Sequence, residues 1–519
     1  MRKRLLPLLA VLVVAAVGIG VWVGLARVDR TAAPHRIGPH DGLVTRAESM
    51  RHLPSAAVRN VTLTAAPATI NLGDRVVHTW AFNGQVPGPA ISVHVGDVVR
   101  ARVINKLPEA LTVHWHGIAI RNDMDGVADV TQKAIAPGAS FVYQFTASTP
   151  GTYFYHPHTG TQLDRGLYGA LIVTDATQPW QHGVTLMLDD WIDGTGQTPD
   201  DVLAQLKAGG AQMPTASGTT MSGMPMSSSG SGMGGMGGMS MGGGSTTSAS
   251  TSPLGADTAD LTYPQYVING RTATSPAIYD ATPGEQLRLR LVNAGAATPF
   301  RVAYGGGRMT VIATDGYPVD PVTTDALIIG MGERYDVLVT VPRSGAFPLV
   351  AVAEGKGAQA LAVLRAGHAA LPMPDVHPAQ LDGQLLTLAD LHATAKVALR
   401  TGTPDRTYRV ALTGAMMAFD WGIRAPTQRG ISLQVKTGQR IRLVLANQTR
   451  MWHPIHLHGH TFRVVTGNGV GPRKDTVIMP AMGTVTVDLI ADNPGQWVLH
   501  CHNIYHAEVG MMTTLSYVT

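Results

Sequence analysis

The chain has 519 residues, 14% of them charged, a formal net charge of +4, 59 glycines, 33 prolines and one cysteine. That length suits about three domains, and the glycine and proline content favours turn-rich all-β structure over helical bundles. The small charge, with no basic stripe among aromatics, argues against a nucleic-acid partner, and one cysteine excludes an intramolecular disulfide.

Arg2, Lys3 and Arg4 precede a run without charge over residues 5–26. As a helix it would reach about 33 Å, enough to cross a bilayer core. The positive flank predicts a cytoplasmic amino end and export of the remainder. Residues 1–30 are therefore read as a membrane anchor, or as a signal segment if cleavage follows Ala26 or Ala33. No cysteine stands there for lipid attachment, and Arg2-Lys3-Arg4 is not a twin-arginine pair. Residues 31–57 are polar and read as a tether, with His35, His40 and His52 exposed and idle.

From Val58 onward, short strand-forming runs alternate with Gly and Pro turns. One pattern recurs three times: a glycine turn, an alternating strand with arginines on one face, and a closing Asn105, Asn293 or Asn447. The wide spacing predicts three homologous β-sandwich domains, at 58–176, 177–375 and 376–519, rather than a solenoid. A second repeat pairs 150–158 with 494–502, both ending in His-x-His. Its middle-domain counterpart, 344–352, has no histidine, so the middle domain is expected to be a spacer.

Between about 207 and 253, within the middle domain, the composition collapses to Gly, Ser, Thr and Met. Such a stretch cannot bury a core and reads as a flexible loop. Met213, Met221, Met224, Met226, Met233, Met236, Met239 and Met241 lie in it. Thioethers are soft ligands that favour Cu(I), so the expected role is capture of cuprous ions.

Four His-x-His pairs carry the chemistry: His114-Trp115-His116, His156-Pro157-His158, His456-Leu457-His458 and His500-Cys501-His502. With His453 and His506 they take ten of the 20 histidines, which makes chance clustering a poor explanation. On a strand, His500 and His502 share one face and Cys501 takes the other, so two metal centres can sit back to back. Cys501, nearby imidazoles and Met511 form a blue-copper ligand set. Zinc would fill the same nitrogens but has no redox chemistry.

HWHG (114–117), HPHTG (156–160), HPIHLHGH (453–460) and HCHNIYHAEVGM (500–511) resemble the four copper motifs of the multicopper oxidases, the family of laccases and cuprous oxidases. The resemblance implies three cupredoxin-like Greek-key β-sandwiches and four copper ions. It assigns His453, Cys501, His506 and Met511 to type 1 copper, and His114 and His456 to type 2. It assigns His116, His156, His158, His458, His500 and His502 to the type 3 pair. Asp125 matches a family acid near the type 2 water and is the proton-relay candidate. Ala507 stands where many bacterial relatives carry an acid, and the adjacent Glu508 is the candidate substitute. Asp475 matches a family position close to the type 1 histidine. Together with Met451 and with Met416 and Met417, expected in a passing strand, it is expected to help seat the reductant.

The implied activity couples one-electron oxidations to reduction of dioxygen to two waters. The methionine-rich stretch favours Cu(I) as reductant, in copper tolerance; a laccase acting on phenols and aromatic amines is the alternative. The expected partners are dioxygen, Cu(I) or a small organic reductant, and the membrane through the N-terminal segment, for a monomeric exported protein. A copper-free scaffold of this fold should have lost ligands, and a copper-storage protein would not need the Cys501 bridge.

Overall fold

A computed structural model describes residues 35–54, 56–175, 183–209, 252–255, 257–258, 260–425, 432–467 and 469–519. The apolar run at 5–26 and the eight methionines of 213–241 lie outside the described residues. Among the described residues no helix is long and apolar enough to cross a membrane.

Three two-sheet units follow one another. The first has two four-stranded sheets, the second a seven- and a five-stranded sheet, the third a six- and a five-stranded sheet. The repeated strands Val98–Asn105, Gln286–Asn293 and Arg440–Asn447 each run parallel to the opening strand of their unit: Val58–Asn71, Gly183–Trp191 and Arg406–Thr413. In the first copy Val99, Ala101 and Val103 point into the core while Arg100 and Arg102 stay exposed, as the period of two requires.

The closing asparagines explain why the repeat ends as it does. The Asn105 side-chain amide donates to the carbonyls of Glu109 and Ile135, that of Asn293 to Thr298 and Ile329, and that of Asn447 to Met451 and Pro480. Each carboxamide oxygen accepts an N–H two residues on, from Leu107, Gly295 and Thr449. One side chain thus fixes the corner leading into the next strand. In the outer units that strand carries histidines.

Four strands position the histidines: β1 (His114–His116), β2 (Gly151–His156), β3 (His453–Leu457) and β4 (Gln496–Cys501). In β1, Trp115 is buried in the sandwich core and both flanking histidines face the other way. His114 pairs with His156 across β1 and β2, and His456 with His500 across β3 and β4.

The stretch read as a tether is built into the fold. Helix α1 (Gly42–Arg51) begins at Asp41, whose side chain accepts the Leu43 N–H as an N-cap. Val44 and Ile37 are buried, and the Ile37 N–H donates to the Tyr517 carbonyl at 2.9 Å. Glu48 accepts from the Thr146 backbone and hydroxyl, and Arg51 donates to Asn493. The segment therefore straps the first unit to the third. The sequence hid this because α1 has only one fully buried residue; polar bonds hold it. Helix α2 (Pro199–Lys207) leads toward the methionine-rich stretch, and α3 (Ile504–Glu508) comes after β4.

Candidate metal centre

The first and third units meet through their histidines. His114 of β1 stacks on His458, and His116 on His456 of β3, each at 3.7 Å between ring centroids. Around that seam the donor atoms of His114, His116 and His456 lie within 4.8 Å of one another, as do those of His116, His156 and His502, and of His158, His458 and His500. His500 and His502 thus enter different clusters while sharing one strand face.

Most of the imidazoles present one nitrogen to the centre and have the other tied behind; His502, whose Nδ1 is buried without a partner, is an exception. His114 donates from Nδ1 to the Asp125 carbonyl, His156 to that of Pro157, His456 to that of Asp475 and His500 to that of Cys501, all at 2.8–3.0 Å. Asp125 Oδ2 holds His458 Nδ1 at 3.0 Å, and Asp475 Oδ1 holds His116 Nε2 at 3.2 Å. Nε2 of His114, His156, His158 and His456 is buried without a partner. His458 Nε2 meets His500 Nε2 at 3.0 Å, and His116 Nδ1 meets His502 Nε2 at 3.2 Å. Where the rear nitrogen carries the proton, the facing atoms are lone pairs, and only a cation between them makes such an approach favourable. Burial and then the neighbouring imidazoles hold His116, His156, His458, His500 and His502 well below the ordinary histidine pKa, and His158 at about 3. They are neutral, the form that binds metal.

On the opposite side of β4, Cys501 Sγ lies 3.6 Å from His506 Nδ1 and 3.8 Å from His453 Nδ1, and those two nitrogens face each other at 3.1 Å. Behind them, His453 Nε2 is engaged by the Thr449 hydroxyl at 2.8 Å, and Asp260 Oδ2 lies 2.9 Å from His506 Nε2 without the alignment of a hydrogen bond. Met511 is buried beside them, its N–H donating to the His506 carbonyl. Burial pushes the Cys501 thiol up, so thiolate forms there only if a cation replaces the proton. Two nitrogens and one sulfur, with a thioether nearby, fit copper.

Several expectations change. Asp475 is not at the type 1 side. The register pairs His453 with Met479 and His456 with Thr476, so Asp475 falls beyond Thr476, at the histidine cluster. It is fully buried, 3.2 Å from His116 Nε2 and 3.4 Å from His456 Nδ1. Burial works to raise its pKa, but the bidentate Arg334 guanidinium holds the carboxyl well below the ordinary range. Met451 is buried in the core and presents nothing to solvent. Met416 and Met417 lie in a turn, not a strand: Gly414 has φ +128°, and Asp420 accepts the Ala415 N–H. That turn ends in Phe419 and Trp421, whose rings face His506, so Met416 and the exposed Met417 do stand near this site. Asp125 is fully buried between His114 and His458. Glu508 is exposed and rims a small cavity, about 30 Å³, lined by His156, His158, His500, His502 and Ala507.

The middle unit has no histidine at either site, yet it is more than a spacer. It supplies Arg334 to Asp475 and Asp260 to His506. At Gly332, φ +83°, a Cβ would come within 2.8 Å of the His502 ring and 3.0 Å of His116, so the turn must be glycine to close against the cluster. Asp260 carried no signal in the sequence, since nothing around it repeats or resembles a ligand motif.

Family models described as multicopper oxidase match residues 64–178, 182–369 and 402–518. The chain is 41% identical over 507 residues to "Multicopper oxidase MmcO" of Mycobacterium tuberculosis, covering 96% of this chain and 95% of that one. It is 29% identical to "Copper resistance protein A homolog" of Pseudomonas syringae pv. tomato, over 86% of this chain and 90% of that one. Among solved structures, the laccase from Botrytis aclada superposes with a TM-score of 0.69 at 25% identity, covering 90% of this chain and 88% of that one. With three matching models, a relative aligned nearly end to end and histidine and thiol donors placed to hold copper, the chain belongs to the multicopper oxidase family of copper-dependent oxidoreductases.

Proposed function

We propose that this oxidase is exported and takes electrons singly from Cu(I), as copper defence, delivering them to dioxygen. The carrying observation is the three facing nitrogen pairs, His458–His500, His116–His502 and His453–His506, at 3.0, 3.2 and 3.1 Å. In this reading His453, Cys501, His506 and Met511 hold type 1 copper, and His114 and His456 hold type 2. His116, His156 and His502 hold one type 3 ion; His158, His458 and His500 hold the other. When bound, these four ions would supply the one-electron redox chemistry that reduces dioxygen to two waters with four electrons and four protons.

The side chains do the rest. Cys501 is joined by its own backbone to His500 and His502, a covalent route from the sulfur to both halves of the cluster. Asp125 touches both His114 and His458, where it orients the rings and passes a proton inward. Glu508, at the mouth of the cavity beside His158 and His500, is the proposed external proton donor in place of the acid that Ala507 lacks.

Support for Cu(I) comes from where the methionine-rich stretch begins and ends. Gly209 lies beside the Met417 carbonyl, with a notional Cβ 4.0 Å away. After the stretch, the Thr258 carbonyl accepts the Trp452 indole N–H and Asp260 meets His506. Both flanks therefore abut the Cys501 side. Met221, Met224, Met226, Met233, Met236, Met239 and Met241 would supply thioethers there, with Met416 and Met417 on the adjoining turn and Asp260 drawing the cation to His506. Steady-state kinetics of the copper-loaded protein with Cu(I) and with a phenol, read beside oxygen uptake, tests this. Cu(I) should be the better reductant by kcat/KM, and Asp260→Asn should lower that value while copper content stays full. A strong preference for the phenol would establish the laccase reading instead.

A further inference from the structure

Exposed large apolar side chains gather at one place on the surface. Among the described residues twelve stand out, and five of them, Leu43, Met50, Leu53, Val58 and Val95, belong to α1 and its immediate surroundings. Met50 is 81% exposed, Val58 53%, Leu53 49% and Leu43 42%. Leu43 and Met50 share the outer face of α1, seven residues apart. Leu53 comes just after the helix and packs at Gly96, next to Val95, and Val58 pairs with Val98. The patch is one surface, not scattered residues, and contiguous apolar exposure on a soluble face marks an interaction site.

Charges of both signs stand at its margin. Arg46 is exposed on the same helix face, Arg59 is paired with the buried Asp97, and Asp492 is exposed beside Met50, with Arg51 and Arg473 on the same rim. Asp41 caps α1 and Glu48 is bonded to Thr146. The apolar side chains, not charge, distinguish this face.

The chain that precedes α1 says which partner is within reach. The 5–26 run ends nine residues before His35, and nine residues extend at most about 30 Å. We propose that the α1 face, with Leu53, Val58 and Val95, rests on the bilayer surface, a proposal that depends on the 5–26 run remaining as the anchor. Gln496, at one end of β4, donates to the Ile37 carbonyl, and Cys501 is at the other end, about 17 Å away at strand spacing, so the reductant side lies a strand's length from the strap.

Methionine footprinting reads this directly. The full copper-loaded chain is reconstituted into phosphatidylcholine–phosphatidylglycerol vesicles, floated on a density gradient and oxidised with peroxide, and Met50 sulfoxide is compared with that of Met373 and Met482, which are 70% and 68% exposed elsewhere. Met50 should oxidise several-fold more slowly than in detergent while the two controls are unchanged. In a Leu43→Asp/Leu53→Asp variant the protein should still float but Met50 should regain its detergent rate. A chain that does not float would remove the anchor, and the proposal with it. A chain that floats with Met50 as reactive as in detergent would overturn the docking alone.

Discussion

Cys501 and its two neighbours show how much a residue pattern can carry. Alternation on a strand predicts that sulfur and imidazoles face opposite ways, and the structure puts Cys501 beside His453 and His506 while His500 and His502 enter separate histidine clusters. Cys501→Ser should abolish the blue thiolate absorption and stop turnover while the apo protein keeps its circular dichroism; retained oxidase activity would defeat the assignment. What the residue pattern could not give was direction. Asp475 matched a position, but its side depends on the register of Thr476–Met479 against β3, which no local signal encodes. Its partner Arg334 is fully buried and comes from the middle unit. Removing one member of a buried pair leaves the other charge uncompensated, at a cost of about 3–5 kcal/mol. Arg334→Met should therefore lower the denaturation midpoint markedly, and a midpoint within error of the parent would contradict that.

At the level of elements, the repeats are readable because each copy must solve the same corner with the same asparagine. The strap α1 is not, because it buries little and is held by Asp41, Glu48 and Arg51 rather than by an apolar stripe. Met416 and Met417 carry no turn signal themselves and so suggest a strand, yet Gly414 and Asp420 redirect the backbone around them. The methionine-rich stretch makes an element-scale prediction. Deleting 213–241 should lower kcat/KM for Cu(I) several-fold while leaving a bulky phenol nearly unaffected. Equal losses on both would mean the stretch acts on the fold rather than on the reductant.

Across the whole molecule, the proposed centre draws on two units that share no sheet. Their contact includes the stacked pairs His114–His458 and His116–His456 and the Asn122–Gln496 and Asn493–Ile120 hydrogen bonds, braced by Arg334 from the middle unit and by α1. Imidazoles from two units holding one ion cluster would make metal binding a folding interaction. Copper loading should raise the melting temperature, and chelation should reverse it; an unchanged melting curve would mean that the units hold together without metal.

Anomalous diffraction at the copper edge on crystals of the fully loaded chain tests the central arrangement most directly. One peak should lie among His453, Cys501 and His506, and three more should cluster inside the ring of eight histidines between the first and third units. Peaks confined to one unit, or a total well short of four, would contradict it.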